Sequence, residues 1–290
     1  VKTPILVSTV AELREKIAEL RRQGKTIGLV PTMGALHEGH LSLVQASRAE
    51  CDATVVTIFV NPTQFAPSED LDAYPRTLEA DLQKLADVGT DLVFAPSAEE
   101  VYDPNHASWV TVDSVSKPLE GEQRPDHFRG VATVVTKLFN MAQSDVAYFG
   151  QKDYQQTLVI RRMVEDLNIP ITIRVCPIVR EPDGLAKSSR NVYLSPEARS
   201  QAILLYKSLC HARERIEQGE RDTSVILDQM RSLIQQSELA QIDYITIADA
   251  QTLEVVGTLP PEPSPDSAVV IALAVKIDGT RLIDNMLFPE

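Results

Sequence analysis

The chain has 290 residues, 43% of them hydrophobic and 24% charged, which suits a soluble globular protein with room for two domains. Its 28 basic and 41 acidic side chains leave a formal net charge of −13, which argues against the broad basic face that a nucleic-acid footprint requires. No apolar run reaches the length of a membrane span or a secretory core, and three scattered cysteines (Cys51, Cys176, Cys210) without CxxC or metal-ligand spacing fit a reducing compartment, the cytoplasm.

In chain order, the apolar run Ile5-Leu6-Val7 stops at once, and Thr9 followed by Glu12 forms a capping-box pattern. Val10, Leu13, Ile17 and Leu20 then repeat at helical spacing up to Gly24. Thr26 to Val30 reads as a short strand, a helix with Leu41 and Val44 on one face follows His37-Glu38-Gly39-His40, and Thr54 to Val60 is a buried, β-branched strand. Leu78, Leu82 and Leu85 mark a helix, Asp91 to Phe94 a strand, and Val131, Val134, Val135, Leu138 and Phe139 a further helix. Val146 to Phe149 is a strand, Ile160, Met163, Val164 and Leu167 a helix, and Ile171 to Val175 a strand. Strands alternating with helices predict a Rossmann-like parallel sheet with helices on both faces.

The rhythm then changes. Arg180 to Asn191 is a polar loop with a Pro-Asp-Gly turn, and Ser195-Pro196-Glu197 starts a helix carried on by Leu205, Leu209, Ala212 and Ile216. Ile226, Met230, Leu233 and Ile234 mark another helix. Ile242 to Ile247, Val269 to Ile277 and Leu282 to Phe288 read as strands, the first two joined by a link containing Pro260, Pro261, Pro263 and Pro265. The division expected is an α/β domain over 1–178 and a smaller α+β C-terminal lid domain over 179–290. The sequence begins with Val1 rather than Met, as expected of a processed product, an alternative start or a portion of a longer protein.

Ligands of open α/β sheets bind beyond the carboxyl ends of the strands. Four polar segments fall at such ends: 31–40 (PTMGALHEGH), 61–65 (NPTQF), 150–156 (GQKDYQQ) and 179–191 (VREPDGLAKSSRN). In the first, Gly34 and Gly39 permit close backbone approach or unusual dihedrals, and His37 and His40 sit three apart at a helix entry, where free N–H groups and the helix dipole favour phosphate. A zinc site would want further Cys or His ligands, and none has suitable spacing. Lys152 suits a phosphate oxygen and Asp153 ribose hydroxyls, Ser188-Ser189-Arg190 joins two hydroxyls to a guanidinium fork, and Gln64, Gln155 and Gln156 suit a hydroxylated acid. Taken singly, each is an ordinary polar loop; their coincidence at strand ends carries the reading. Neither G-x-x-x-x-G-K-[ST] nor G-x-G-x-x-G occurs, against a P-loop kinase and a dinucleotide dehydrogenase.

An early HxGH with a late Lys/Ser/Arg loop is similar to the class I nucleotidyltransferase superfamily. More specifically, PTMGALHEGH (31–40), IFVNPTQF (58–65), DLDAYPRTLEADL (70–82), RPDHFRGVATVVTKLFN (124–140), GQKDYQQ (150–156) and GLAKSSRN (184–191), in that order, resemble the pantoate–β-alanine ligase family over nearly the whole chain. The resemblance implies ATP-dependent condensation of pantoate with β-alanine through a pantoyl adenylate, with Mg²⁺ accompanying ATP, no tightly bound organic cofactor, and a homodimer. It implies ATP contacts from Met33, Gly34, Ala35, Leu36, His37, Glu38, Gly39 and His40, from Gly150, Gln151, Lys152 and Asp153, and from Val179, Lys187, Ser188, Ser189 and Arg190. Within these, His40 is the implied catalytic donor, with His37 and Lys152 on the phosphates. Asn61, Gln64, Gln156 and Arg124 are implied for pantoate and β-alanine, and Asp81 as an indirect Mg²⁺ partner. Two departures are Lys187, where many members carry methionine, and Gln151, where glutamate is frequent; the first adds a cation beside a triphosphate and the second removes a negative charge.

Three other readings stay open on the residues alone. One is a different adenylyltransferase of the same superfamily, whose second substrate would be a phosphate. A class I tRNA synthetase is disfavoured by the net charge of −13. A non-catalytic nucleotide sensor would bind ATP without turning it over.

Overall fold

The computed structural model describes residues 3–65, 71, 74–262 and 264–289. Val1, Asp70, Asp72, Ala73 and Pro263, which the sequence reading used, lie outside the described residues. The chain divides into two compact units, Val1–Gln151 with Gln155–Pro177, and Lys152–Tyr154 with Ile178–Glu290.

The first unit runs β1 (Ile5–Val7), α1 (Val10–Arg22), β2 (Ile27–Thr32), α2 (Glu38–Glu50), β3 (Ala53–Ile58), α3 (Leu78–Asp87), β4 (Leu92–Phe94), α4 (Ala98–Val101), α5 (Glu120–Gln123), α6 (His127–Ala142), β5 (Val146–Gly150), α7 (Tyr154–Asp166) and β6 (Thr172–Cys176). All six strands are parallel, in the order β1-β4-β3-β2-β5-β6. Leaving aside β1, this is the 3-2-1-4-5 order of a Rossmann-like sheet, as the alternating pattern predicts. The strand β1 is an addition: three residues pair with Leu92–Phe94 at the sheet edge, too short a run to declare itself in the sequence.

Val30, Val56 and Val93 point to one face and meet Leu43 and Val44 of α2 and Leu85 of α3. Ile27 and Leu29 point the other way and are equally buried, while α6 packs on β2 and α1 on α6, so both faces are covered. The helix α2 lies directly on the sheet at Gly28, where a Cβ would overlap Ser47 Oγ and stand 3.1 Å from Tyr148 Cε2. Its far end is held by Glu50, which accepts from the Tyr148 hydroxyl at 2.8 Å and pairs with Arg174 of β6 at 2.7 Å. Burial, with Cys51 and Glu50 beside it, pushes the Tyr148 phenol well above its ordinary range and keeps it a donor.

The order reverses between β2 and β5, and their ladder comprises only Gly28↔Val146 and Leu29↔Ala147, although β2 continues to Thr32 and β5 to Gly150. Beyond Leu29 the two carboxyl ends therefore leave the crevice in which such sheets bind ligands. The segments following these two strands are 33–40 and 151–153.

The second unit holds α8 (Pro196–Gln201), α9 (Ile203–Glu217), α10 (Thr223–Ile234), β7 (Ala240–Asp249), β8 (Val269–Ile277) and β9 (Thr280–Phe288). The single helix expected from Ser195 to Ile216 is two, divided at Ala202. The strands form an antiparallel sheet, β7-β8-β9. Leu205, Leu209, Ala212 and Ile216 of α9 and Ile226, Met230 and Ile234 of α10 share one core with Ile271, Leu273 and Val275 of β8. The apolar positions that repeat at helical spacing are the ones buried on the sheet.

Candidate active site

Thr32 ends β2 with its hydroxyl donating to Thr57 O at 2.7 Å and accepting from Gly34 N–H at 3.2 Å. The chain then turns through two left-handed residues, Gly34 (φ +85°) and Ala35 (φ +50°). The turn is gripped from behind by Asp81, whose side chain is fully buried. One carboxylate oxygen accepts from Ala35 N–H at 2.9 Å and from Thr77 Oγ1 at 3.2 Å, and the other accepts from Leu36 N–H at 2.9 Å. Lys84 adds a bond to Leu36 O at 2.6 Å. Asp81, which the resemblance offers as an indirect Mg²⁺ partner, thus has both oxygens committed to the loop backbone. No cluster of three or more His, Cys, Asp or Glu side chains able to hold a metal occurs among the described residues.

The two histidines cap α2 reciprocally. His37 is the N-cap, and its Nδ1 accepts from Gly39 N–H at 3.1 Å; His40, at the third helical position, offers Nδ1 to His37 N–H at 3.3 Å. The rings lie 4.1 Å apart, centroid to centroid. With both Nδ1 atoms accepting, each neutral ring carries its proton on Nε2, so both imidazoles are set as Nε2–H donors at a helix N-terminus. Gly39 leaves room for the cap, because a Cβ there would sit 2.9 Å from Cε1 and Nδ1 of His37. Glu38 is exposed at the first helical position, where a carboxylate suits the dipole.

Behind β3, a second cluster forms around Gln64. Its Oε1 accepts from Asn61 Nδ2 at 3.1 Å, and its Nε2 lies 3.1 Å from Met33 Sδ. Its main-chain carbonyl takes Arg124 Nη2 at 3.2 Å and His127 Nδ1 at 3.0 Å. Asn61 is 1% exposed, with Oδ1 accepting from the Tyr102 hydroxyl at 3.0 Å and Nδ2 donating to Gly130 O at 3.2 Å. The structure thereby gathers the sequence candidates Met33, Asn61, Gln64 and Arg124. It adds Tyr102 and His127, of which His127 lay unassigned inside the RPDHF motif and Tyr102 left no signal. Gln156 is half-buried on α7. Gln155 is not available to a ligand: its side chain bonds Val115 O at 2.8 Å, Pro118 O at 2.7 Å and Glu120 N–H at 3.1 Å, and ties down 115–120.

Gly150 ends β5 facing open space, and Gln151 follows it. In the second unit, the Lys152 carbonyl accepts from Asn285 Nδ2 at 2.9 Å, and Asp153 is exposed. Val179 O accepts from Lys187 N–H at 2.9 Å, closing a turn over 180–186. Lys187 faces Glu181 at 3.2 Å, so the cation that departs from the family pattern carries its own carboxylate. Ser188 Oγ accepts from Arg190 N–H at 3.3 Å as the N-cap of the short turn Ser189–Tyr193.

A 3-2-1-4-5 parallel sheet with a histidine-capped helix entry at its switch point defines a nucleotide-handling α/β protein of the HxGH type. The chain belongs to the pantoate–β-alanine ligase family, whose model matches residues 5–287. It is 51% identical over 282 residues to the pantothenate synthetase of Acetivibrio thermocellus, covering 97% of this chain and 98% of that one. To the pantothenate synthetase of a Roseiflexus species it is 54% identical over 280 residues, covering 97% and 98%. The crystal structure of the Thermus thermophilus enzyme superposes with a TM-score of 0.90 at 45% identity, covering 97% of this chain and 98% of that chain. A Francisella tularensis pantoate–β-alanine ligase, complexed with β,γ-ATP and β-alanine, superposes with a TM-score of 0.77 at 33% identity, covering 98% and 97%.

Proposed function

We propose that this chain condenses pantoate with β-alanine at the expense of ATP, through a pantoyl adenylate. The observation that carries the chemistry is the reciprocal histidine cap, which holds two imidazoles together at the N-terminus of the helix that follows β2. A free carboxylate is a poor acyl donor, so the pantoate carboxylate attacks the α-phosphorus and pyrophosphate leaves. The amine of β-alanine then attacks the acyl carbon and AMP leaves. No protein nucleophile is needed; the work is positioning and stabilising charge on phosphoryl oxygens.

In this reading His40 is the catalytic donor and His37 its neighbour on the phosphates, within a nucleotide-contacting segment of Met33, Gly34, Ala35, Leu36, Glu38 and Gly39. Gly150, Gln151, Lys152 and Asp153, with Val179, Lys187, Ser188, Ser189 and Arg190, complete the ATP contacts, Lys152 on phosphate and Asp153 on ribose. Asn61, Gln64, Gln156 and Arg124 receive pantoate and β-alanine. Mg²⁺ comes as part of the nucleotide substrate. No helix among the described residues is long and apolar enough to cross a membrane; the resemblance adds a homodimer, and the three scattered cysteines point to the cytoplasm.

ATP–pyrophosphate exchange tests the scheme. Exchange is expected with pantoate and without β-alanine, and AMP should accumulate once β-alanine is added. No exchange with any small carboxylic acid would sink the adenylate route. Exchange that answers to a phosphorylated second substrate instead would establish another HxGH adenylyltransferase.

Gly130 gives an independent check on the acid site. A Cβ at this position of α6 would collide with Thr63 O and stand 2.8 Å from Gln64 Cα, so the NPTQ backbone must move. Gly130→Ala is expected to raise KM for pantoate about tenfold, the scale of overpacking against backbone, while KM for ATP holds steady. An unchanged pantoate KM would remove Gln64 from the acid site.

A further inference from the structure

Asp284 and Asn285 are adjacent on β9, each 3% exposed, and neither belongs to the proposed substrate contacts. Buried polar groups persist where they find partners. Asp284 takes the Arg180 guanidinium on both oxygens, at 2.6 and 3.0 Å, and the same guanidinium donates to Gly184 O at 3.1 Å and lies 4.3 Å over the Tyr206 ring. Gly184, at φ +99°, has no room for a Cβ against that ring. One arginine therefore fastens the 180–186 turn to β9. Asn285 accepts Arg180 Nη2 on its main-chain carbonyl at 3.4 Å and donates its side-chain amide to Lys152 O at 2.9 Å. The strand also packs against the Ser189–Tyr193 turn.

Lys152 is an ammonium on a flexible four-carbon stem, so its reach is set by where its backbone is held. That backbone belongs to the short 3₁₀ turn Gln151–Asp153. Such turns have poor hydrogen-bond geometry of their own and rely on outside partners. We propose that Asn285 is a positioning residue for Lys152, and that the Asp284-Asn285 pair lets β9 align the Lys152 turn with the Val179–Arg190 loop for one triphosphate. This rests on the reading that Lys152 handles phosphate.

The test is a double-mutant cycle in pantoate-dependent ATP–pyrophosphate exchange, with melting temperatures measured in parallel. Asn285→Ala is expected to lower kcat/KM for ATP about tenfold, as loss of one buried hydrogen bond allows, and to leave KM for pantoate within about twofold. In a Lys152→Ala background the same change should add less than about twofold, because its route to the nucleotide is already gone. Asn285→Asp keeps the size of the side chain but sets a carboxylate oxygen against the Lys152 carbonyl, and should reproduce the loss if the alanine variant does not fold. The proposal is overturned if a folded Asn285 variant keeps ATP kcat/KM within about twofold, or if its loss persists in full without Lys152. Wild-type exchange in Lys152→Ala alone would instead refute the phosphate role of Lys152.

Discussion

His40→Ala is expected to lower pantoate-dependent exchange by ~10²-fold or more, the scale on which a lost transition-state donor registers. The prediction needs a control, because His40 also accepts from His37 N–H and so helps cap α2. Asparagine at 40 supplies the control: its Oδ1 stands near the place of Nδ1 and keeps an acceptor for the cap, but nothing reaches where Nε2–H was. His40→Asn should therefore melt close to the wild type and still lose ~10²-fold in exchange. Alanine should lose the cap as well, at about 1 kcal/mol. Should His40→Asn retain near-normal exchange, His40 would be a capping residue and the proton donor would lie elsewhere.

The second large effect belongs to Asp81. Replacing it by alanine leaves the Ala35 and Leu36 amides and the Thr77 hydroxyl without their acceptor, in a place the side chain now fills completely. Hydrogen bonds to a charged group contribute more than neutral ones, so Asp81→Ala should destabilise the protein by on the order of 3 kcal/mol in chemical denaturation. Exchange should fall at the same time, because the left-handed turn that leads into His37 loses its grip. Asp81→Asn keeps one acceptor and turns a donor toward the other amide, and should fall between the two. A magnesium titration separates this role from the indirect Mg²⁺ one. If Asp81 holds the loop, excess Mg²⁺ restores nothing; recovery of Asp81→Ala at high Mg²⁺, with an unchanged unfolding midpoint, would return the residue to the metal.

Both predictions concern one short loop, and the two residues were unequally visible in the sequence. His37 and His40 announce themselves by type, spacing and place before an apolar repeat, since a helix entry needs capping groups at fixed offsets. The reason for Gly39 was not visible, because it depends on where the His37 ring folds. Asp81 enters the sequence reading only through the family resemblance, as an indirect Mg²⁺ partner, and nothing there points to the loop. Its partner amides lie 46 and 45 residues earlier, across the sheet, and no periodic pattern encodes such a pairing. The same holds for Arg124 and His127 on the Gln64 carbonyl, 60 and 63 residues apart, and for Asn285 on Lys152, 133 residues apart. Lys187 shows the converse: its charge was plain, but its Glu181 partner, across the 180–186 turn, was not.

The HxGH segment, the polar runs after the strands, and the change from alternating βα to helices followed by strands were determined by the sequence alone. Each is written in neighbouring residues as a period, a cap or a turn. Tertiary structure decided what holds those segments in place: strand order brings Thr32 and Gly150 to one crevice, α3 delivers Asp81 under the loop, α6 brings Gly130 against Thr63, and β9 brings Asn285 to Lys152. The physical reason is that a hydrophobic period reports only which face of an element is buried. Which distant backbone group a polar side chain then meets follows from the crossovers, and these exist only once the sheets have assembled.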